Sequence, residues 1–202
     1  MTILVDVARW PWRETLWCHL VSDSNFEELH TFAARLGCRR VGFQGDHYDI
    51  DIGARAVAVE CGAQEHDSRE LVRRLRAADL RVRPSTFEKW QLDERSEGAL
   101  SRARADELRE CGSPMLAAAL DQLESVPNIA ELRRECTGWF ALKRSQMAAI
   151  VLHGPDSAAV DALDGVVSGD DAEHGIFVRT DKLGPSSGWS VESISPGPHP
   201  NQ

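Results

Sequence analysis

The sequence predicts an α/β N-terminal domain, a mixed sheet flanked by helices, followed by a helical connector and a small α+β C-terminal unit. Three observations carry this expectation. Short apolar runs alternate with amphipathic helical stretches as far as Pro84, the stretch after it is dense in charge, and isolated apolar runs return towards the end. The divisions fall at 1–84, 85–112 and 113–194. Residues 195–202 read as a mobile tail, because Ser195-Pro196-Gly197-Pro198-His199-Pro200 has nothing to build a core from.

Ile3 to Val7 is a short apolar run and reads as a buried strand; Trp17 to Val21 reads as a second. Ser24 with Glu27 has the spacing of a capping box. Phe26, Leu29, Phe32, Ala33 and Leu36 follow at helical spacing, and Gly37 is placed to close that helix in the left-handed conformation. Arg39 to Gln44 reads as a third strand and Gly45 to Asp49 as a loop. Asp51 caps a helix through Ala54, Val57 and Ala58 that ends at Gly62, and Ala63 to His66 is extended. Asp67 with Glu70 caps a helix whose apolar face is Leu71, Val72 and Leu75, and Leu80 to Arg83 reads as a last strand. The link from Ala8 to Leu16 is too short for a parallel crossover, so the first two strands are expected to be antiparallel. The second and third flank a helix and are expected to be parallel, with a right-handed crossover.

From Ser85 to Glu110 helix formers and charges dominate, which predicts a partly solvated connecting helix, broken near Gly98 and at Gly112. Pro114 opens a helix through Met115, Leu116, Ala119, Leu120 and Leu123. Asn128 caps another that carries Ile129 and Leu132, then Trp139 and Phe140. Met147 to Leu152 reads as a buried strand, Asp156 to Val167 as a helix, and Ile176 to Arg179 and Trp189 to Ile194 as strands.

Composition narrows the function classes. The 202 residues are 42% hydrophobic, which suits a folded chain and is too apolar for a disordered one. The net charge of −9 makes nucleic acid an unlikely general partner, since phosphate binding needs a concentrated basic surface. A local exception is the face Arg69, Arg73, Arg74, Arg76, Arg81 and Arg83, which is either a solvated helix face or a meeting point for an acidic partner. No apolar run is long enough to span a bilayer, so no membrane is expected. The start has neither a basic n-region nor a long h-region, and a cytoplasmic location follows as the expectation. The five cysteines are scattered, which predicts reduced, mostly buried thiols rather than a disulfide framework or a Cys-x-x-Cys zinc site.

Polar chemistry concentrates in the first third. The stretch Gly45-Asp46-His47-Tyr48-Asp49-Ile50-Asp51 puts carboxylates, an imidazole and a phenol after a strand, where α/β sheets form ligand crevices. An imidazole beside a carboxylate serves as general acid or base, and the same groups suit a divalent cation. The alternative is a structured turn in which Asp46 holds backbone amides and Asp51 caps a helix. His19 interrupts an apolar strand, and parallel pairing would carry it to the same rim as His47, with Asp23 nearby. Antiparallel pairing of the first strand would leave Asp6 at the opposite end. The segment Arg9-Trp10-Pro11-Trp12-Arg13 either grips a ring and an anion or covers the sheet. No Walker loop, GxGxxG or HExxH is present.

Ile3-Leu4-Val5-Asp6, Trp17-Cys18-His19-Leu20-Val21-Ser22-Asp23, Glu28-Leu29-His30-Thr31-Phe32-Ala33 and Phe43-Gln44-Gly45-Asp46-His47-Tyr48-Asp49-Ile50 together resemble a bacterial family, domain-of-unknown-function family 4031, over about residues 2–83. The resemblance implies no activity and no site residue. In that family the first strand often ends in two acidic residues, whereas here Val7 follows Asp6.

The expectation is a hydrolase of a small or phosphorylated substrate. His19, His47, Asp46 and Asp49 are the catalytic candidates, and Arg9, Trp10, Gln44 and Tyr48 are the substrate contacts. His19, His47 and Asp46 are the ligands of a divalent metal, if one is the cofactor. The alternatives are a non-catalytic binding or regulatory protein with a structural His/Asp cluster and a protein partner on the C-terminal half, and nucleic-acid binding through the Arg69–Arg83 face.

Overall fold

The computed structural model describes residues 2–83, 86–155, 175–180 and 189–195. These form two compact units, one within 2–87 and the other from Glu88 onward.

The first unit is built around β3 (Thr15–Ser22). It pairs antiparallel with β1 (Ile3–Val5), as the short link requires. The link is itself structured. Trp10–Trp12 forms β2, also antiparallel to β3, closed by the two-residue turn Arg13-Glu14 with φ of 49° and 63°, the left-handed pair of a type I′ hairpin. The third strand departs from expectation. Arg40–Gly42 is a short 3₁₀ turn, and the strand is β4 (Tyr48–Asp51), which begins inside the stretch read as a loop. It pairs antiparallel with β3, not parallel, with His19 opposite Asp49 and Leu20 opposite Tyr48. The polar loop shrinks to Gln44-Gly45-Asp46-His47, spanned by Gln44 N donating to His47 O at 2.8 Å. β5 (Gln64–Glu65) lies parallel to β1. Leu80 to Arg83 forms no strand.

Three helices cover this sheet. In α1 (Phe26–Arg35) the cap is Asn25 rather than Ser24, its side chain accepting from Glu28 N at 2.7 Å. Gly37 closes the helix at φ 81°. α2 (Ile52–Glu60) and α3 (Ser68–Ala77) are capped by Asp51 and Asp67 as their spacing implies. One sheet face, Ile3, Val5, Cys18 and Leu20, packs with Leu29, Ala33, Tyr48, Ile50 and Ala58. The other carries Leu4 and Val21 beneath Leu71 and Leu75 of α3.

The second unit is an antiparallel sheet in the order β6-β7-β8-β10-β9: β6 (Gln91–Glu97), β7 (Gly138–Arg144), β8 (Met147–Gly154), β9 (Gly175–Thr180) and β10 (Trp189–Ser195). The charged stretch at 91–97, expected to be helical, is therefore an edge strand, and edge strands carry charge as protection against further pairing. Trp139 and Phe140, expected on a helix, lie in β7. Helices α4 (Arg102–Cys111), α5 (Pro114–Leu123) and α6 (Ile129–Glu135) supply Leu108, Leu116, Leu120, Leu123 and Leu132 to a core with Ile150, Leu152 and Val191. Asn128 precedes α6 in the left-handed conformation, and its side chain makes no cap bond. The helix expected at Asp156 to Val167 and the tail after Ser195 lie outside the described residues. None of the five cysteines, all of them described, forms a disulfide, and no described helix is long and apolar enough to cross a membrane.

Candidate functional site

α3 covers only part of its sheet face. Beyond its first residue the same face carries side chains in the middle of β3 and β4, and there the polar residues gather. The antiparallel register sets His19 opposite Asp49, so both project from one face. His47 comes from the turn just before β4. The rings of His19 and His47 stand 4.9 Å apart and nearly perpendicular. One ligand atom from each of His19, His47 and Asp49 lies within 4.8 Å of the others. The side chains of His19 and His47 are 30% and 22% exposed, so the cluster opens to water.

Each imidazole is held from behind. His19 Nδ1 sits 3.0 Å from Asp6 Oδ2, and His47 Nδ1 sits 2.6 Å from Asp46 Oδ1. Both carboxylates are buried. Asp6 also accepts from the His19 amide at 2.8 Å and from the Ser68 hydroxyl at 2.5 Å. Asp46 accepts from the Val82 amide at 2.9 Å and from Arg81. Burial by itself would raise both carboxyls. The bonds from His19 and Ser68 to Asp6, and from His47, Arg81 and Val82 to Asp46, outweigh it and hold both below the usual carboxylate range. They are therefore anions near neutral pH, and a carboxylate accepting from Nδ1–H leaves Nε2 as the basic nitrogen. For His47 that Nε2 faces Asp49 Oδ1 at 3.6 Å.

The turn that presents Asp46 and His47 depends on Gly45. Its φ is +92°, and a Cβ there would stand 2.6 Å from the Phe87 ring. Only glycine takes that backbone without strain.

Of the residues singled out in sequence, His19, His47, Asp46 and Asp49 come together. Trp10 joins them, its ring 4.0 Å from that of His19, and Arg9 donates to the Ser68 hydroxyl that bonds Asp6. Asp46 lies behind His47 and is not one of the three side chains whose donor atoms gather; the acid beside the two rings is Asp49. Gln44 starts the turn, with its amide used to close it. Tyr48 is on the other sheet face, buried, with its hydroxyl 2.8 Å from His30 Nδ1, so it does not reach the cluster. Asp23 is also elsewhere, bonded to the Thr2 amide and to Arg74. On the Arg69–Arg83 face, Arg73 and Arg74 pair with Glu70, and Arg81 with Asp46, which spends much of its charge internally.

The residue that sequence reasoning misplaced is Asp6. Antiparallel pairing was expected to carry it away from the site. Yet Leu4 opposite Val21 and Val5 opposite Leu20 bring Asp6 beside His19, because His19 is mid-strand rather than at a strand end. A buried acid after an apolar strand, with a histidine inside the next, was the available signal.

The first unit is thus an α/β domain bearing two carboxylate-oriented histidines and a third acid on an open sheet face. Residues 3–78, most of that unit, match the family described as Protein of unknown function (DUF4031). No match to the chain is found among curated proteins or among solved structures.

Proposed function

We propose that this face is a divalent transition-metal centre and that the protein is a metal-dependent hydrolase of a small or phosphorylated substrate. The observation that carries the reading is the pair of buried acids on the two Nδ1 atoms. That arrangement fixes each ring's tautomer and turns Nε2 into a ligand, as in metal sites where a carboxylate backs each histidine. Two imidazoles and one carboxylate suit zinc, manganese or ferrous iron better than magnesium or calcium, which prefer all-oxygen shells. Three protein ligands would leave a position for water, and a metal held by them would supply Lewis-acid activation of that water near neutral pH. Asp6 and Asp46 are positioning residues, and His19, His47 and Asp49 are the ligands. Five cysteines without a disulfide suit a reducing, cytoplasmic setting.

The test is a thermal shift of the full chain with Zn²⁺, Mn²⁺ or Mg²⁺. Zn²⁺ or Mn²⁺ should raise the melting temperature and Mg²⁺ should not. Saturation at a hundred times the dissociation constant is worth about 2.7 kcal/mol. His47→Ala should abolish the response while the circular dichroism stays native. Absence of any response in the wild type removes the proposal.

A second reading rests on the same two dyads. With no metal, one histidine takes the proton of the attacking water while the other, protonated, gives its proton to the leaving group. Activity on an ester that survives a chelator and shows a bell-shaped pH profile would favour it.

A further inference from the structure

We infer that the ligand of this site is a phosphate ester carrying a flat aromatic group, with the phosphate between the metal position and Arg9 and the ring against the indoles of β2. The inference rests on the metal reading above and names its substrate class.

The aromatic half follows from the hairpin. Trp10 pairs with Trp17 across β2 and β3, and Trp17 with Asp51 across β3 and β4, so these side chains share the face of His19 and Asp49. Trp12 packs edge-on against Trp17 at 4.9 Å, and Trp10 against His19 at 4.0 Å. A run of rings therefore leads from the turn of the hairpin to the cluster. Trp10 and Trp12 nevertheless remain 38% and 54% exposed. Arg9 lies over the Trp10 ring at 5.6 Å and Arg13 over that of Trp12 at 4.5 Å, so these partly exposed indoles, edged by cations beside a polar cluster, offer a flat anionic ligand stacking as well as apolar burial.

The anionic half follows from Arg9 and the charge of the site. Arg9 is exposed, and among the described residues it has no carboxylate partner, whereas Arg55, Arg74 and Arg81 pair with Glu65, Asp23 and Asp46. Its guanidinium spends one bond on Ser68 and keeps the rest of its donor fork. Through Ser68 it stands two hydrogen bonds from Asp6 and three from His19. Without a metal, Asp6, Asp46 and Asp49 repel an anion. Arg81 already offsets Asp46, a divalent ion would offset the other two acids, and Arg9 is then the uncompensated charge, so anion binding here depends on metal. A phosphate offers oxygens for both the ion and the guanidinium, and Arg is the side chain suited to it.

The probes are phenylphosphonate and inorganic phosphate, titrated calorimetrically into full-length protein with measured zinc loading and into the same protein stripped by chelator. Loaded protein should bind phenylphosphonate about tenfold more tightly than phosphate, and stripped protein should bind neither. Trp10→Ala should erase the advantage of phenylphosphonate and leave phosphate unchanged. Arg9→Ala should weaken both about tenfold, and Arg9→Lys should recover only part of that loss. Zinc affinity should be unchanged in all three. Should Trp10→Ala disturb zinc binding, Trp10→Leu, which keeps apolar bulk, replaces it and carries the same expectation. Loading without phosphonate binding, equal affinity for the two probes, or indifference to Arg9→Ala overturns this inference and leaves the metal centre standing. Failure to load zinc overturns both.

Discussion

Two sets of buried polar groups, one in each unit, are satisfied in different ways. In the first, Asp6 and Asp46 are whole charges, each surrounded by donors, and each directs a histidine to an open face. In the second, the buried groups of β10 include neutral serines that close onto backbone: Ser193 donates to Ala119 O at 2.7 Å and Ser195 to Ala148 O at 3.3 Å. Nothing in that pattern points outward. Burying an ion costs far more than burying a hydroxyl, and each of these two acids is met by several donors, one of which is a histidine ring. The proposed chemistry rests on the two acids of the first unit, whereas those serines of the second serve packing.

The largest expected effect breaks the charged side of the comparison. Asp46→Ala leaves Arg81, the Val82 amide and His47 Nδ1 without their shared acceptor. It should destabilise the first unit by about 2–4 kcal/mol, less than a fully buried pair would lose because Arg81 can turn to water. Peptide-resolved hydrogen exchange in urea should place that loss in residues before Phe87. Asp46→Asn keeps the shape and removes the charge. It should retain the fold while metal affinity drops about 10–100-fold, read by zinc competition with a chelating dye. Unchanged affinity in the asparagine variant would make the acid structural.

A second effect tests the opposite face of the same sheet. His30 is enclosed by Phe26, Phe43 and Tyr48, with Arg40 nearby. Burial first, and then the Arg40 charge, push its pKa down to about 3. The folded chain therefore keeps His30 neutral where the unfolded chain, near its ordinary 6.5, takes up a proton. Stability on this account is full above about pH 6.5, declines as the pH falls below it, and levels off near pH 3. At pH 5 the loss is on the order of 1–2 kcal/mol. His30→Gln, which can still bond Tyr48, should flatten the decline. Urea midpoints at pH 7 and pH 5, compared between wild type and variant, measure it. Parallel declines would remove His30 from the account.

How much of this was legible varies with the residue. Strands β1, β3, β8, β9 and β10 announce themselves as apolar runs, and α2 and α3 carry their caps in plain view at Asp51 and Asp67. β4 was hidden although its period is right. Tyr48 and Ile50 face the core, but the alternate positions are Asp49 and Asp51, and Asp is depleted from strands. The strand violates propensity where Asp49 is placed opposite His19, so the misread element is the one that builds the site. β6 was hidden for a different reason, since an exposed edge of Gln, Asp, Glu and Arg looks like a solvated helix when pairing is unknown. The meeting of His19 and His47 was anticipated, but through parallel pairing; the antiparallel register performs it instead and adds Asp6.

The neutral side of the comparison is tested by Ser193→Ala. Its hydroxyl is buried and satisfies one carbonyl of α5. Losing it should cost about 1 kcal/mol in urea unfolding, a fraction of the Asp46 effect, and zinc affinity should stay at the wild-type value. A metal effect from this serine would erase the division of labour between the units.

The smallest effect lies at the hairpin tip, between scaffold and site. Arg13 and Glu14 both hold positive φ, a conformation that non-glycine residues adopt at a cost and that a type I′ turn demands at both positions. Neither side chain enters the cluster. Glu14→Gly relieves the second position and should raise stability by about 0.5 kcal/mol, seen as a small upward shift in the urea midpoint. The strand it terminates carries Trp10 against His19, so the same variant asks whether the hairpin merely closes the sheet or holds the indole in place. If the turn is only a closure, zinc and phosphonate affinities remain at wild type while stability rises. If phosphonate affinity falls as stability rises, the strained turn contributes to aiming Trp10, and the boundary between packing and chemistry runs through the hairpin rather than beside it.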